Sequence, residues 1–512
     1  MTNLTPNLLR AAWSAAALAA VAGCTVGPDY KRPEPAAPAS FSSLSEVQSA
    51  SPTSTPTGAE ALSKDALATW WQAFEDPELN SLVERAIAAN LNLKVAEARV
   101  REARANRGIS AAAQYPTLQA FGDASRSRTS GNLANSNFTG GSRTSNFFDA
   151  GLDASYEIDI FGGVRRNIEA ADAQVGAAIE NQRDVLISVV AEVAQAYTDL
   201  RGFQERVKLA NQVISTSQET VNLTQSRFHA GLAADLEVAQ AQAQLAARQA
   251  VVPMLVSGVR SSSHRLGILL GQEPGALLQE LDAAAGIPRP PSQIPVGLPS
   301  GLLERRPDIR MAERNLAAAT AQIGVATADL YPRFSLTGSF AFESGKVDNL
   351  LSLDSRSWSI GPTVRWNLFT GGAVRAQIAA AGARQEQALF TYDQTLLTSF
   401  AEVEDALTNY IQEQARRRAL AAAVDANNRA VSLSTDRYRS GVGDFLNVLD
   451  AQRQLYDTQD QLVQSEALVT RNLVALYKAL GGGWSDQDRT PQSEPQQQTP
   501  SESQPAAPAP KT

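Results

Sequence analysis

Two kinds of periodicity divide the chain. Val189, Val193, Ala196, Leu200, Phe203, Val207, Ala210, Ile214, Ser217, Val221, Thr224 and Phe228 alternate by four and three, the seam of a left-handed coiled coil. Val238, Leu245, Val252, Val259 and Leu266 then recur every seven residues, as do Val448, Leu455, Leu462, Val469 and Leu476 at an offset of 210. The stretch RFHAGLAADLEVAQAQAQL from Arg227 aligns with RYRSGVGDFLNVLDAQRQL from Arg437 at that same offset. Each copy predicts a very long helix, a tight reversal at Gly231 or at Gly441 and Gly443, and a second long helix. The first helices, 163–229 and 372–439, would each be about 100 Å long at 1.5 Å per residue. Pro253 predicts a local kink in the returning helix of copy one.

Between the helices the period drops to two. Leu152, Ala154, Tyr156, Ile158 and Ile160 alternate with Asp153, Ser155, Glu157 and Asp159. Copy two does the same with Phe334, Leu336, Gly338, Phe340 and Phe342, and again with Trp358, Ile360, Pro362, Val364, Trp366 and Leu368. These are strands with one apolar and one polar face. A fourth, about 117–128, is weaker, because Phe121 falls on its polar side. Strands of roughly ten residues have the length of a tilted membrane-spanning β-strand. The rest of the chain supplies coiled-coil helices but no apolar layer to cover a sheet. Four strands are too few for a closed barrel, for which about eight is the practical minimum, so the strands must come from several chains.

A helix is expected from about Leu79 to Ala112, ended by Tyr115-Pro116. The organisation is then 1–23 signal peptide, 24–64 tether and 65–286 repeat 1, with strands about 117–128 and 147–161 and hairpin 163–281. A loop follows at 287–304. Repeat 2 covers 305–483, with strands about 333–343 and 357–369 and hairpin 372–481, and a tail rich in Gln, Pro and Ser covers 484–512.

The N-terminus reads as a secretory signal with a short apolar segment. It runs into Val21-Ala22-Gly23-Cys24, and Cys24 is the only cysteine. This resembles a bacterial lipobox, in which the thiol is acylated; Thr25 in place of Asp then implies the outer membrane. A net charge of −8 argues against nucleic acid as a partner. His229 and His264 lie far apart, and no metal-ligand cluster, phosphate loop or nucleophile–base pair is evident. No cofactor is expected, and an envelope enzyme has no motif in its favour. Glu402, Glu404 and Asp405 read as a solvated helix face, with a tunnel lining second.

Taken together, the pieces resemble the TolC-like outer-membrane efflux factor family, OprM/NodT-type lipoprotein branch. The residues that carry the likeness are GPDYKRP from Gly27, LVERAIAANLNLKVAEARVREARA from Leu82, YEIDIFGGVRR from Tyr156, LLERRPDIRMAERNLAAATAQIG from Leu302, WNLFTGGAVRAQI from Trp366 and YRSGVGDFLNVLDAQRQLY from Tyr438. The resemblance implies a mostly α protein with a β-barrel part. It would be a homotrimer forming a twelve-stranded barrel and an α-helical tunnel, anchored in outer-membrane lipid through Cys24. It further implies a passive channel of a tripartite efflux system that docks onto a periplasmic adaptor and an inner-membrane pump. An RND-type pump is the first choice and an ATP-driven one the alternative. A lipid-anchored coiled-coil scaffold without a pore is the competing reading, and the two-faced strands stand against it.

The same resemblance implies two groups of site residues. Ala230, Gly231, Leu232, Ser440, Gly441 and Val442 match the adaptor-contacting hairpin tips. Leu446, Asp450 and Arg453, on one helix face at i, i+4 and i+7, match the periplasmic gate, with Tyr438 as a partner. Copy one has Leu236, Gln240, Ala243 and Phe228 at the aligned positions.

Overall fold

The computed structural model describes residues 25–34, 38, 41–42, 67–128, 144–283, 285–291 and 299–485. After a 3₁₀ turn at Trp70–Phe74, the order is α1 (Pro77–Ala89), α2 (Leu91–Ala112), β1 (Thr117–Arg128), β2 (Thr144–Ile158), α3 (Gly163–His229) and α4 (Asp235–Leu269). Then come α5 (Pro299–Arg305), α6 (Pro307–Ala328), β3 (Arg333–Ser344), β4 (Arg356–Arg365), α7 (Ala373–Arg439) and α8 (Phe445–Ala479).

Where one helix was expected from Leu79 to Ala112, there are two. Asn90 leaves helical space with ψ 129°, and its carboxamide oxygen accepts from Leu93 N to cap α2. Its amide nitrogen donates to Leu269 O at 2.8 Å, so the end of α4 abuts the start of α2. The returning hairpin helix therefore stops at Leu269, and 270–283 is a series of turns. Pro253 lies inside α4, which continues through it. Copy two repeats the joint with different chemistry: Arg306 Nη1 donates to Ala479 O, bringing the end of α8 to the start of α6.

α3 packs against α2, α4, α6 and α8, whereas α7 packs against α6 and α8. The rods thus stand side by side in the order α2/α4, α3, α6/α8, α7. The main apolar core is a belt around the middle of α3. Trp70, Trp71, Phe74 and Leu82 meet Val189–Leu200, Val403–Tyr410 and Val469–Tyr477 there. Ring stacking of Trp70 on Tyr477, centroids 5.0 Å apart, fixes the belt to α8.

The four strands form one antiparallel sheet in the order β1-β2-β3-β4, leaving β1 and β4 as free edges. Register aligns the faces: Leu152 pairs with Phe340, and Phe340 with Trp358; Ala154 pairs with Gly338, and Gly338 with Ile360. This face is apolar from Leu118 and Tyr156 to Phe148 and Phe342, with Trp358 at 74% and Ile360 at 70% exposure in the single chain, and turns polar beyond, at Arg126, Asn146 and Arg356. Phe121 does lie on the polar face, opposite Gly151, and the row continues through Ala341 to Ser357. Small side chains across the row give its ring room, which is why the alternation breaks without breaking the strand. β2 ends at Ile158, before Ile160, and β4 ends at Arg365. Trp366 and Leu368 therefore lie beyond the strand, and Trp366 Nε1 donates to Leu330 O at 3.1 Å.

Candidate functional site

Both hairpin tips are built the same way. Gly231 N donates to Phe228 O and Leu232 N to Arg227 O; Gly441 N donates to Tyr438 O and Val442 N to Arg437 O. These paired bonds make a Schellman motif at each helix end. It requires a left-handed residue, supplied by Gly231 (φ 71°) and Gly441 (φ 74°). Leu232 and Val442 follow at 66% and 71% exposure, so each tip presents an exposed apolar side chain. Ala230 and Ser440 are the helix-end residues before the turn.

Behind the tips the two hairpins are tied together. Tyr438 and Phe445 of copy two are buried against Val221 and Ala241 of copy one. Tyr438 Oη donates to Glu237 Oε2 at 2.5 Å. The Arg227 guanidinium lies 4.7 Å from the Tyr438 ring centroid and donates to Arg439 O. Burial first, then the Glu237 carboxylate, pushes the Tyr438 phenol up to about 12. The neutral phenol is thus held as a donor, bridging α7 to α4.

The residues assigned to the gate from sequence are only partly brought together. Asp450 and Arg453 form an exposed i,i+3 ion pair at 3.1 Å on α8, with Leu446 half exposed one turn before them. Within the chain Tyr438 does not reach them; it donates instead to Glu237. Sequence reasoning missed Glu237 and Arg227. The signal was available: Tyr438 replaces Phe228 of copy one, and a hydroxyl added at a buried position needs an acceptor.

The acidic run on α7 is on the surface as expected, with Glu402 and Asp405 exposed, but two of its members are also engaged. Glu402 pairs with the buried Arg306 at 2.7 Å, and Glu404 accepts from Ser42 N and Oγ. Cys24 lies outside the described residues. The residues after it lie close against the body. Val26 N donates to Phe161 O, and buried Arg166 reaches Val26 O and Asp29. Residue 25 therefore sits where the sheet gives way to α3. Among the described residues, no helix is long and apolar enough to cross a membrane, and no group of three His, Cys, Asp or Glu side chains is placed to hold a metal.

A family model described as outer membrane efflux protein matches residues 82–272 and 298–482. Nodulation protein T of Rhizobium leguminosarum bv. trifolii is 32% identical over 465 residues, covering 91% of this chain and 96% of that protein. Outer membrane protein OprJ of Pseudomonas aeruginosa is 34% identical over 471 residues, covering 90% and 94%. Among solved structures, the outer-membrane channel OprN matches with a TM-score of 0.82 at 38% identity, covering 90% of this chain and 100% of that one. The open state of the Neisseria gonorrhoeae MtrE outer membrane channel matches at 0.75 with 28% identity, covering 90% and 99%.

Proposed function

The chain belongs to the outer membrane efflux protein family, and we propose from that premise how it serves as an outer-membrane efflux channel of a Gram-negative bacterium. Three copies join head to tail around one axis. The free edge of β4 pairs with the free edge of the next chain's β1, so three four-stranded sheets close a twelve-stranded barrel. Closure leaves no open edge in lipid. The α7 side of one copy packs on the α2/α4 side of the next, continuing the barrel as a helical tunnel.

One observation carries this reading: a sheet with two unpaired edges and an apolar face on which Leu152, Phe340, Trp358 and Ile360 are exposed. An acyl group on Cys24 would enter the membrane beside the barrel's helical end, where Thr25 and Val26 are held. The tips, Ala230-Gly231-Leu232 and Ser440-Gly441-Val442, receive a periplasmic adaptor, and the adaptor connects to an inner-membrane pump of RND type. The channel itself is passive.

At the tip end, three Leu446 side chains narrow the tunnel and resist wetting. Three Asp450 carboxylates lie beside them, each neutralised locally by its own Arg453. The Tyr438–Glu237 bond, braced by Arg227, keeps the two hairpins of each chain together and so keeps the aperture small. Extraction in mild detergent followed by mass measurement and particle imaging tests the assembly. A trimeric hollow cylinder is expected; a monomer would refute the barrel and the tunnel together.

A further inference from the structure

At the joint where α8 meets α6, charged groups from four rods face one cavity of about 220 Å³. Asp184 comes from α3, Arg306 and Asp308 from the start of α6, Glu402 from α7 and Lys478 from the last turn of α8. Arg306 is the hub. It donates to both oxygens of Asp308 at 3.0 and 2.6 Å, to Glu402 at 2.7 Å and to Ala479 O at 3.0 Å. Gly481, in the left-handed turn that ends α8, lines the same cavity with its backbone against Arg305. Three carboxylates thus face two cations. Arg306 holds two of the carboxylates, and Asp184 is the surplus charge, placed on the rod that forms the core.

We propose that this junction is a proton-responsive clasp: protonation of Asp184 tightens the joint between the waist and the second hairpin, and its ionisation loosens it. The cause is local charge balance. With Asp184 ionised, its carboxylate repels Asp308 and Glu402 across a half-buried space, where such repulsion is weakly screened. With Asp184 neutral, the Arg306 bonds that hold α8, α6 and α7 face no competitor. Burial, followed by the charge of Asp308, pushes the Asp184 carboxyl above its ordinary range, while Lys478 and Arg306 pull it down. A carboxyl raised in the folded state gives stability that is complete below its unfolded value and is lost as pH rises through its folded value. The clasp is therefore firm in acid and slack toward neutrality. The switch is a charge change at one residue, and the element it biases is the α8–α6 joint.

The full chain, purified as its assembly and reconstituted in nanodiscs, tests this by thermal unfolding between pH 4 and 8 and by amide exchange at 479–483. Wild type is expected to lose midpoint temperature as pH rises. Asp184→Asn should lie nearest to it at pH 4 and exceed it by about 2 °C at pH 8, with exchange at the joint flat apart from the intrinsic base-catalysed rise. Lys478→Met changes an exposed side chain and removes a cation facing Asp184, so it should move the whole transition to higher pH. Curves for Asp184→Asn that run parallel to wild type, or a Lys478→Met transition that stays in place or moves to lower pH, would overturn the clasp. If Asp184→Asn fails to assemble, the Lys478→Met shift alone decides.

Discussion

The two hairpins have the same backbone and different surroundings. Their long helices are equal in length, their tips carry the same Schellman bonds, and their returning helices have 35 residues each. Yet Ile187 of α3 is 3% exposed while its counterpart Leu397 on α7 is 64% exposed, and buried Glu180 corresponds to Phe390 at 65%. Duplication copied the local structure. Position among the rods then decided what each copy buries, since α3 has neighbours on both sides and α7 on one. An apolar residue left on an outer rod points to a missing neighbour, which in the proposed assembly is the next chain.

The sharpest way to break this comparison is to truncate matched residues. Ile187→Ala should cost about 2–5 kcal/mol of folding stability, as core truncations do. Leu397→Ala should leave unfolding of the single chain nearly unchanged and act on assembly. Thermal unfolding and detergent-driven dissociation of the assembly separate the two effects. Equal losses of folding stability would show that α7 is no outer rod.

A second contrast lies within β4, where neighbouring positions face opposite ways. Ile360→Arg puts a charge on the apolar face and should cost about 2–4 kcal/mol near the membrane midplane. Thr363→Arg puts it on the polar face, where Thr337 is the neighbour, and should be tolerated. The amount of assembled, heat-resistant protein in the outer membrane is the measurement. Comparable loss from both would mean that the faces are assigned the wrong way round.

The latch between the hairpins should respond to smaller changes. Tyr438→Phe removes one buried donor and leaves Glu237 without it, a loss of about 1–3 kcal/mol. Phe228→Tyr, the reciprocal change at a 41% exposed site, should be neutral. Burial and the Glu237 carboxylate push the Tyr438 phenol from its ordinary value of 10.0 up to about 12. Its contribution is complete below pH 10 and is lost as pH rises toward 12. Bilayer conductance of wild type should therefore rise in that window, while Tyr438→Phe conducts more at neutral pH and shows no such step.

Much of this was legible in the sequence because periodicity reports burial directly. The heptads located both hairpins, and period two located the apolar sheet face. Three features were hidden. The break at Asn90 depends on Leu269, which is distant in sequence, so propensity alone reads one continuous helix. Phe121 violates alternation for a reason that lies across the sheet, at Gly151. At the candidate gate, the spacing of Leu446, Asp450 and Arg453 was readable as one helix face, but Tyr438's acceptor, Glu237, sits on another helix of the other copy. Local pattern carries the rods; partners between rods are set by how distant segments pack.

The smallest effect in energy is expected where the effect on flow is largest. Asp450 and Arg453 are 70% and 64% exposed, and an exposed i,i+3 pair contributes about 0.3–0.5 kcal/mol. Leu446 is half exposed as well, so Leu446→Ala with Asp450→Ala should leave unfolding and assembly almost untouched. If these side chains line the aperture, removing an apolar ring and a charged ring widens and wets it. Single-channel conductance should rise, and cells should admit large antibiotics such as vancomycin. The matched control is Leu236→Ala with Gln240→Ala in copy one. Leu236 is 65% exposed, so truncating it is equally mild for the fold. Any general loosening of the tips would appear in both double variants; a gate would appear only in copy two. Equal conductance from the two would place the aperture elsewhere and leave Asp450 an ordinary surface charge.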